Sequence, residues 1–236
     1  WNPNDFVLSP ERYAERKAIT YAGIAAVRRM WRGEAFETVN GTGEPVAVTI
    51  HPLPLQAELN VWLTCSGDAD RFAEAGAMGF NVLTALLFQT VADLGEKIAA
   101  YREARVGHGH EGPGHVTLML HTFVGPDERM VKENVRTPFK EYLASSADLW
   151  QAGESRLRDL SPRKRADMLE YAFERYYQKT ALMGTPDSCR RMVQAVAAAG
   201  VDEIACLIDF GLATSVVIEG LENLDEVRSA PVGPSR

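Results

Sequence analysis

Two hydrophobic rhythms alternate along this chain. Between Tyr13 and Trp31 the apolar positions Tyr13, Ile19, Ala22, Ile24, Val27, Met30 and Trp31 recur at helical spacing. They predict a helix that Ser9 caps, that Pro10 opens and that Gly33 ends. Two β-type runs follow, at 36–39 and 46–50, around Asn40-Gly41-Thr42-Gly43. An Asn-Gly pair between such runs predicts a hairpin. After a proline-rich connection the pattern becomes a repeat. The apolar run 61–64 precedes a helical pattern at 69–78. The run 81–86 precedes a helix at 90–104, with Val91, Leu94, Ile98 and Tyr101 on one face. The run 116–124 precedes a helix at 126–143, with Met130, Val131, Val135 and Phe139 turned inward. An irregular or helical insertion at 144–161 and a helix at 162–177 interrupt the series. Thr185 caps a helix that Pro186 opens and Gly200 stops, and a last strand, 201–210, leads into a helix at 211–221.

The strand centres are apolar without alternation, as in parallel strands buried on both faces, so the fold class is α/β. Four βα units and a hairpin fall short of a closed eight-stranded barrel of roughly 250 residues. The chain opens on a loop that runs straight into a helix, as though a strand had just ended. The expectation is therefore the second half of a (β/α)8 TIM-type barrel over residues 1–227, followed by a disordered Pro/Ser/Gly-rich tail at 228–236.

Composition narrows the function classes. The net charge of −7 and the lack of a basic stripe argue against a nucleic-acid surface, and no apolar run approaches the roughly 20 residues of a membrane span. Three cysteines (Cys65, Cys189, Cys206), without CxxC spacing, suit a reducing cytoplasm rather than a disulfide framework.

The stretch richest in chemistry is Thr64-Cys65-Ser66-Gly67-Asp68, where a strand feeds a helix. Free N–H groups and the helix dipole make such a turn an anion site, whereas Ser66 or Asp68 acting as an ordinary N-cap is the structural alternative. His108, His110 and His115 lie in a Gly-rich loop before a strand, without a rigid or Cys-bearing scaffold, and read as a solvated loop rather than a metal site. The basic run Arg156, Arg158, Arg163, Lys164, Arg165 reads as an exposed helical face.

Several segments together resemble the luciferase-like monooxygenases, flavin-dependent (β/α)8 barrels. Trp1-Asn2-Pro3-Asn4-Asp5-Phe6 resembles the loop after that family's fourth strand, and Trp62-Leu63-Thr64-Cys65-Ser66-Gly67 resembles its fifth strand and phosphate turn. Gly184-Thr185-Pro186 with Val201-Asp202-Glu203-Ile204 resembles the seventh-to-eighth unit. With the segments 118–125 and 205–211, the likeness is to the subgroup of nonribosomal peptide and polyketide biosynthesis. The resemblance implies reduced FMN and O2 oxygenating an organic substrate, either a free small molecule or one tethered to a carrier protein. A separate flavin reductase is implied because no nicotinamide-binding GxGxxG unit is present, and a homodimer is implied for the longer protein. Deazaflavin-dependent hydride transfer and a non-catalytic partial barrel are the rival readings.

The resemblance makes Thr64, Cys65, Ser66 and Gly67 the phosphate grip, and it places Trp1, Asn4 and Asp5 beside the flavin ring. An Asx turn is the alternative for Asn4 and Asp5, and a small buried side chain the alternative for Cys65. Chemistry in a parallel barrel gathers at the C-terminal strand ends. That rule marks His121 and Asp209 as acid/base or orienting groups, against a structural histidine and a helix cap. It also marks Leu86, Leu87 and Phe88 as an apolar substrate wall. The resemblance also implies that the first four strands, with the region where the family often places a catalytic histidine, are expected before residue 1.

Overall fold

The computed structural model describes residues 2–87, 89–150 and 161–229. They form two compact units, Trp1–Val61 and Trp62–Arg236.

The first unit holds two 3-10 turns, Pro3–Phe6 and Pro10–Arg12, then helix α1 (Arg16–Trp31) and the antiparallel hairpin β1 (Phe36–Val39) with β2 (Pro45–Val48). Ser9 precedes the second 3-10 turn but makes no side-chain cap, and α1 starts later than its apolar spacing predicts. Bonds three residues apart, such as Tyr13 N–H to Pro10 C=O, occupy the stretch first. Gly33, at φ 81°, ends α1 in the left-handed region. The hairpin is where Asn-Gly predicts it, but its turn works differently. The Asn40 side chain accepts from the Thr42 and Glu44 N–H groups, and Gly43, not Gly41, carries the positive φ.

The second unit is α/β. In order it runs β3 (Trp62–Thr64), α2 (Ala69–Ala77), β4 (Asn81–Ala85), α3 (Val91–Gly107), β5 (Val116–Val124), α4 (Glu128–Trp150), α5 (Pro162–Lys179), β6 (Leu182–Gly184), α6 (Pro186–Ala198), β7 (Glu203–Leu207) and α7 (Thr214–Ser229). The strand pairs are parallel: β3 with β4, β4 with β5, and β5 with both β7 and β6. Along β3, β4, β5 and β7, spatial order follows chain order, as a (β/α) barrel adds its strands.

Three expectations shift. The short strand β6 was not foreseen, because Leu182–Gly184 is too brief to show a period. Strand β7 spans Glu203–Leu207, within the predicted 201–210. Helix α7 begins at Thr214 and runs through Arg228 and Ser229, which the tail was expected to include; Arg228 pairs with Asp225 at 2.6 Å, one turn back. Residues 230–236 of that tail lie outside the described residues, as do 151–160 of the insertion. Residues 144–150 of the insertion simply continue α4.

The core forms where helices cover one sheet face. Val131, Val135 and Phe139 of α4 meet Phe173 and Tyr177 of α5 over Phe123, Met183 and Phe210. Lys132–Glu174, Lys140–Glu170 and Arg136–Glu170 ion pairs lace the same two helices. At the other end, buried Tyr101 of α3 donates to the Phe80 carbonyl at 2.9 Å and accepts from the His115 N–H at 3.3 Å. Helix α2 packs so closely there that a Cβ on Gly76 would stand 2.1 Å from the Tyr101 carbonyl oxygen.

Candidate functional site

Register sorts the strand side chains onto two faces. One face carries Leu63, Val82, Leu118 and Leu120, all buried. The other carries the cross-strand row Thr64, Leu83, Thr117, Glu203, then Ala85, Met119, Ala205, then His121 beside Leu207. Burial on both faces therefore holds for β5 and the short β6; β4 alternates half-buried and buried, and Trp62 of β3 is 40% exposed. The physical reason is that α4 and α5 cover the second face only around His121, through Tyr142 and Tyr176, while Thr64 and Glu203 on the same face are exposed.

The second face has a polar lower end and an apolar upper end. At the N-terminal strand ends, Trp62 Nε1 donates to Thr117 Oγ1 at 3.0 Å, and Thr117 Oγ1 donates to Glu203 Oε2 at 2.8 Å. His115 Nε2 lies 3.2 Å from the same Glu203 oxygen. His110 is bound instead to the Ala77 carbonyl and His108 to the Ala104 carbonyl. The three loop histidines thus have separate partners, and no metal-binding cluster of side chains forms among the described residues.

At the C-terminal ends, Ala85, Leu87, Met119 and Leu207 line a cavity of about 200 Å³. Tyr142 and Leu143 of α4, Tyr176 of α5 and His121 of β5 complete its wall. His121 is buried, with its ring edge-on to Phe139, Tyr142, Tyr176 and Phe210 at centroid distances of 5.0, 4.7, 5.6 and 5.8 Å. Its Nδ1 is 3.1 Å from the Tyr176 hydroxyl. Burial pushes its pKa down to about 4, while the Asp209 carboxylate pulls weakly the other way. The imidazole is therefore neutral at pH 7. Burial also pushes the Tyr176 phenol above its ordinary range, so it keeps its proton. Asp209 itself is exposed, just beyond the end of β7.

The strand-to-helix turns differ in how far their own side chains close them. At α3, Thr90 and Asp93 form a reciprocal capping box. At α6, Thr185 caps Ser188, and the Glu128 carboxylate takes the Thr185 N–H at 3.2 Å while also accepting from Ser188 and from Tyr177. An internal anion thus already sits at that helix start. At α2, the cap is Asp68, which accepts from the Asp70 N–H at 3.0 Å. Ser66 takes no part in that cap and is exposed, Gly67 stands at φ 58° with open space where a Cβ would be, and neither residue's N–H has a protein partner among the described contacts. Thr64 is exposed on the second face. Cys65 is turned into the core, where burial pushes its thiol up to about 12, and its N–H is taken by the Leu83 carbonyl at 2.9 Å, so it offers a phosphate neither its side chain nor its N–H.

The remaining candidates separate. Leu87 lines the cavity, but Leu86 points the other way and is 2% exposed in the core, so it is no part of a substrate wall. Asn4 and Asp5 sit on the 3-10 turn of the first unit, with the Asn4 N–H held by Asn2 Oδ1 at 2.9 Å. Trp1 and Phe88 lie outside the described residues, as do Arg156 and Arg158; Arg163, Lys164 and Arg165 are exposed at the start of α5. Sequence reasoning missed Tyr142, Tyr176, Met119 and Leu207. The parity of Thr117, Met119 and His121 along one strand was a usable signal; nothing local marks the two tyrosines.

Comparison with known proteins adds to this geometry. No curated protein matches the chain. Among solved structures, it resembles the monooxygenase RslO1 from Streptomyces bottropensis, with a TM-score of 0.70 and 17% identity over 96% of this chain and 64% of that one. It also resembles the FMN-bound oxygenating constituent of 3,6-diketocamphane monooxygenase, a type II Baeyer–Villiger enzyme from the CAM plasmid of Pseudomonas putida. There the TM-score is 0.64 and the identity 15%, over 96% of this chain and 69% of that one. An F420-dependent secondary alcohol dehydrogenase bound to an F420–acetone adduct gives a TM-score of 0.60 and 15% identity over 92% of this chain and 63% of that one. The chain thus spans about two thirds of the length of these structures, and at such identities they share a fold with it. A model of the luciferase-like monooxygenases matches residues 1–203, and by that match the chain belongs to the luciferase-like monooxygenase family.

Proposed function

We propose that this chain supplies the phosphate end and the His121 wall of a flavin-dependent monooxygenase site that uses reduced FMN and O2 to oxygenate an organic substrate. The observation that carries the reading is the turn after β3. It is a helix start at a C-terminal strand end where Ser66 and Gly67 are left open while the turns before α3 and α6 are closed. Ser66, Gly67 and the first turn of α2 fit a phosphate through hydroxyl and N–H donors. Asp68 and Asp70 stand in the same turn, so binding rests on those hydrogen bonds rather than on ion pairing and depends little on salt.

Reduced flavin, when bound, supplies the electrons and the means of activating O2. The protein's part is to position and to exclude water. Leu83, Ala85, Met119 and Leu207 give the second face an apolar floor. His121, neutral and buried, offers a hydrogen bond to a substrate oxygen without a charge, and Asp209 orients groups at the rim. We extend the proposal to a small-molecule or carrier-tethered natural-product substrate, a separate flavin reductase, a cytoplasmic setting and a homodimer of the longer protein. No helix among the described residues is long and apolar enough to cross a membrane.

Fluorescence titration with FMN tests the phosphate turn. Ser66→Asp places a third carboxylate there and is expected to weaken binding at least about tenfold, or about 1.4 kcal/mol; undiminished affinity sinks the assignment. The rival is hydride transfer with a deazaflavin, as in the F420-dependent neighbour. Oxygen consumption with reduced FMN, and none with reduced F420, favours the monooxygenase.

A further inference from the structure

We propose that the chamber beside His121 binds an uncharged, ring-sized organic group whose oxygen hydrogen-bonds the His121 imidazole, with Tyr176 as the positioning residue that fixes the ring's tautomer. As a substrate subsite this rests on the flavin reading above; as a binding chamber it stands on its own geometry.

Size comes first. A dry cavity of about 150 Å³ lined by apolar side chains takes up benzene. The chamber's volume of about 200 Å³ therefore suits one ring with a small substituent. Chemistry comes next. Ala85, Leu87, Met119, Leu143 and Leu207 are apolar, and the polar side chains of the lining are the imidazole and the two phenols of Tyr142 and Tyr176. No Asp, Glu, Lys or Arg lines the chamber among the described residues, so a charged ligand would lose its hydration without gaining a partner. The aromatic edges around His121 favour a flat ring as neighbour.

Tyr176 then decides which way the histidine faces. The half-buried Tyr176 phenol stands 3.1 Å from His121 Nδ1, which is placed to accept its proton. With Nδ1 accepting, the imidazole carries its hydrogen on Nε2. That N–H is the group left for a ligand oxygen, such as that of a phenol, an alcohol or a neutral carbonyl.

The test uses the full chain without flavin, and phenol, toluene and benzoate as probes, at pH 7. Calorimetric titration or saturation-transfer NMR gives the affinities. Phenol is expected to bind at least about tenfold tighter than benzoate and measurably tighter than toluene. Ala85→Leu fills the chamber and is expected to weaken phenol by at least about tenfold; Met119→Phe fills it from the next strand and serves if the first variant loses its circular dichroism melt. Tyr176→Phe keeps the ring but removes the hydroxyl, so the phenol-to-toluene preference narrows and the imidazole nitrogen shifts of His121 move away from the Nε2–H pattern. Benzoate binding as tight as phenol, or phenol binding indifferent to a folded filling variant, overturns the chamber. Unmoved nitrogen shifts in Tyr176→Phe overturn the positioning role. Phenol binding in a chain that fails to bind FMN separates the two claims, removing the flavin reading and keeping the chamber.

Discussion

A buried histidine held neutral leaves a mark on stability as well as on chemistry. In the folded chain His121 titrates at about 4, against an ordinary value of 6.5. Below pH 6.5 the unfolded chain takes up a proton that the native site refuses. The stabilising difference is therefore complete above 6.5 and shrinks as the pH falls toward 4, by at most about 1.4 kcal/mol per pH unit. Urea unfolding at pH 7, 5.5 and 4.5 should show wild type losing stability faster than His121→Leu over that window. Equal losses would show that the imidazole is not held neutral by its site. The same shift predicts that activity carries no histidine titration near 6.5. At this scale the sequence went part of the way: the strand-end rule picked out His121 on β5, but its partner Tyr176 lies 55 residues along the chain on helix α5. No local pattern links them. Cys65 and Ser66 show the converse, since one residue of parity separates a buried thiol from an exposed hydroxyl.

Elements were legible wherever one period ran long enough. The face of α3 predicted from Val91, Leu94, Ile98 and Tyr101 is buried at all but the half-buried Val91, and that of α4 from Met130, Val131, Val135 and Phe139 at all but the half-buried Met130. What the period does not encode is how near two helices approach. Gly76 reads as a weak position in α2, yet it is the point where the backbone of α3 comes close. Gly76→Ala would set its methyl against the Tyr101 carbonyl and is expected to cost about 1–3 kcal/mol as α2 and α3 are forced apart. Gly107→Ala, at the end of α3 with nothing within 4 Å of the added carbon, is expected to stabilise by about 0.5–1 kcal/mol instead. Thermal melts of the two variants should move in opposite directions. A shift in the same direction would mean that the close approach of α2 and α3 relaxes without cost. The hairpin carries a related lesson: Asn-Gly marked its place, but the Asn40 side chain, bonded to Thr42 and Glu44, sets its turn.

For the whole molecule, the order of motifs pointed to the family although each motif alone is weak, and β3, β4, β5 and β7 keep that chain order in space. The pattern was less able to say how cohesive each part is. The apolar positions of α1 follow helical spacing as well as those of α3 do. Yet no described residue of Trp1–Val61 is buried, with Ile19 and Val27 both 43% exposed. In β5 every residue but Met119 is buried. Amides open with free energies that track buried apolar contact, so the two units should not share one opening free energy. In native-state hydrogen exchange, amides of α1 are expected to exchange at least about a hundredfold faster than those of β5 and α3, a difference of about 3 kcal/mol in opening free energy. Limited proteolysis should likewise cut first before residue 62. Protection of α1 equal to that of β5 would mean that the first unit is held by contacts that its exposed side chains do not reveal. Matching losses of protection in both units under mild urea would show one cooperative domain in place of two.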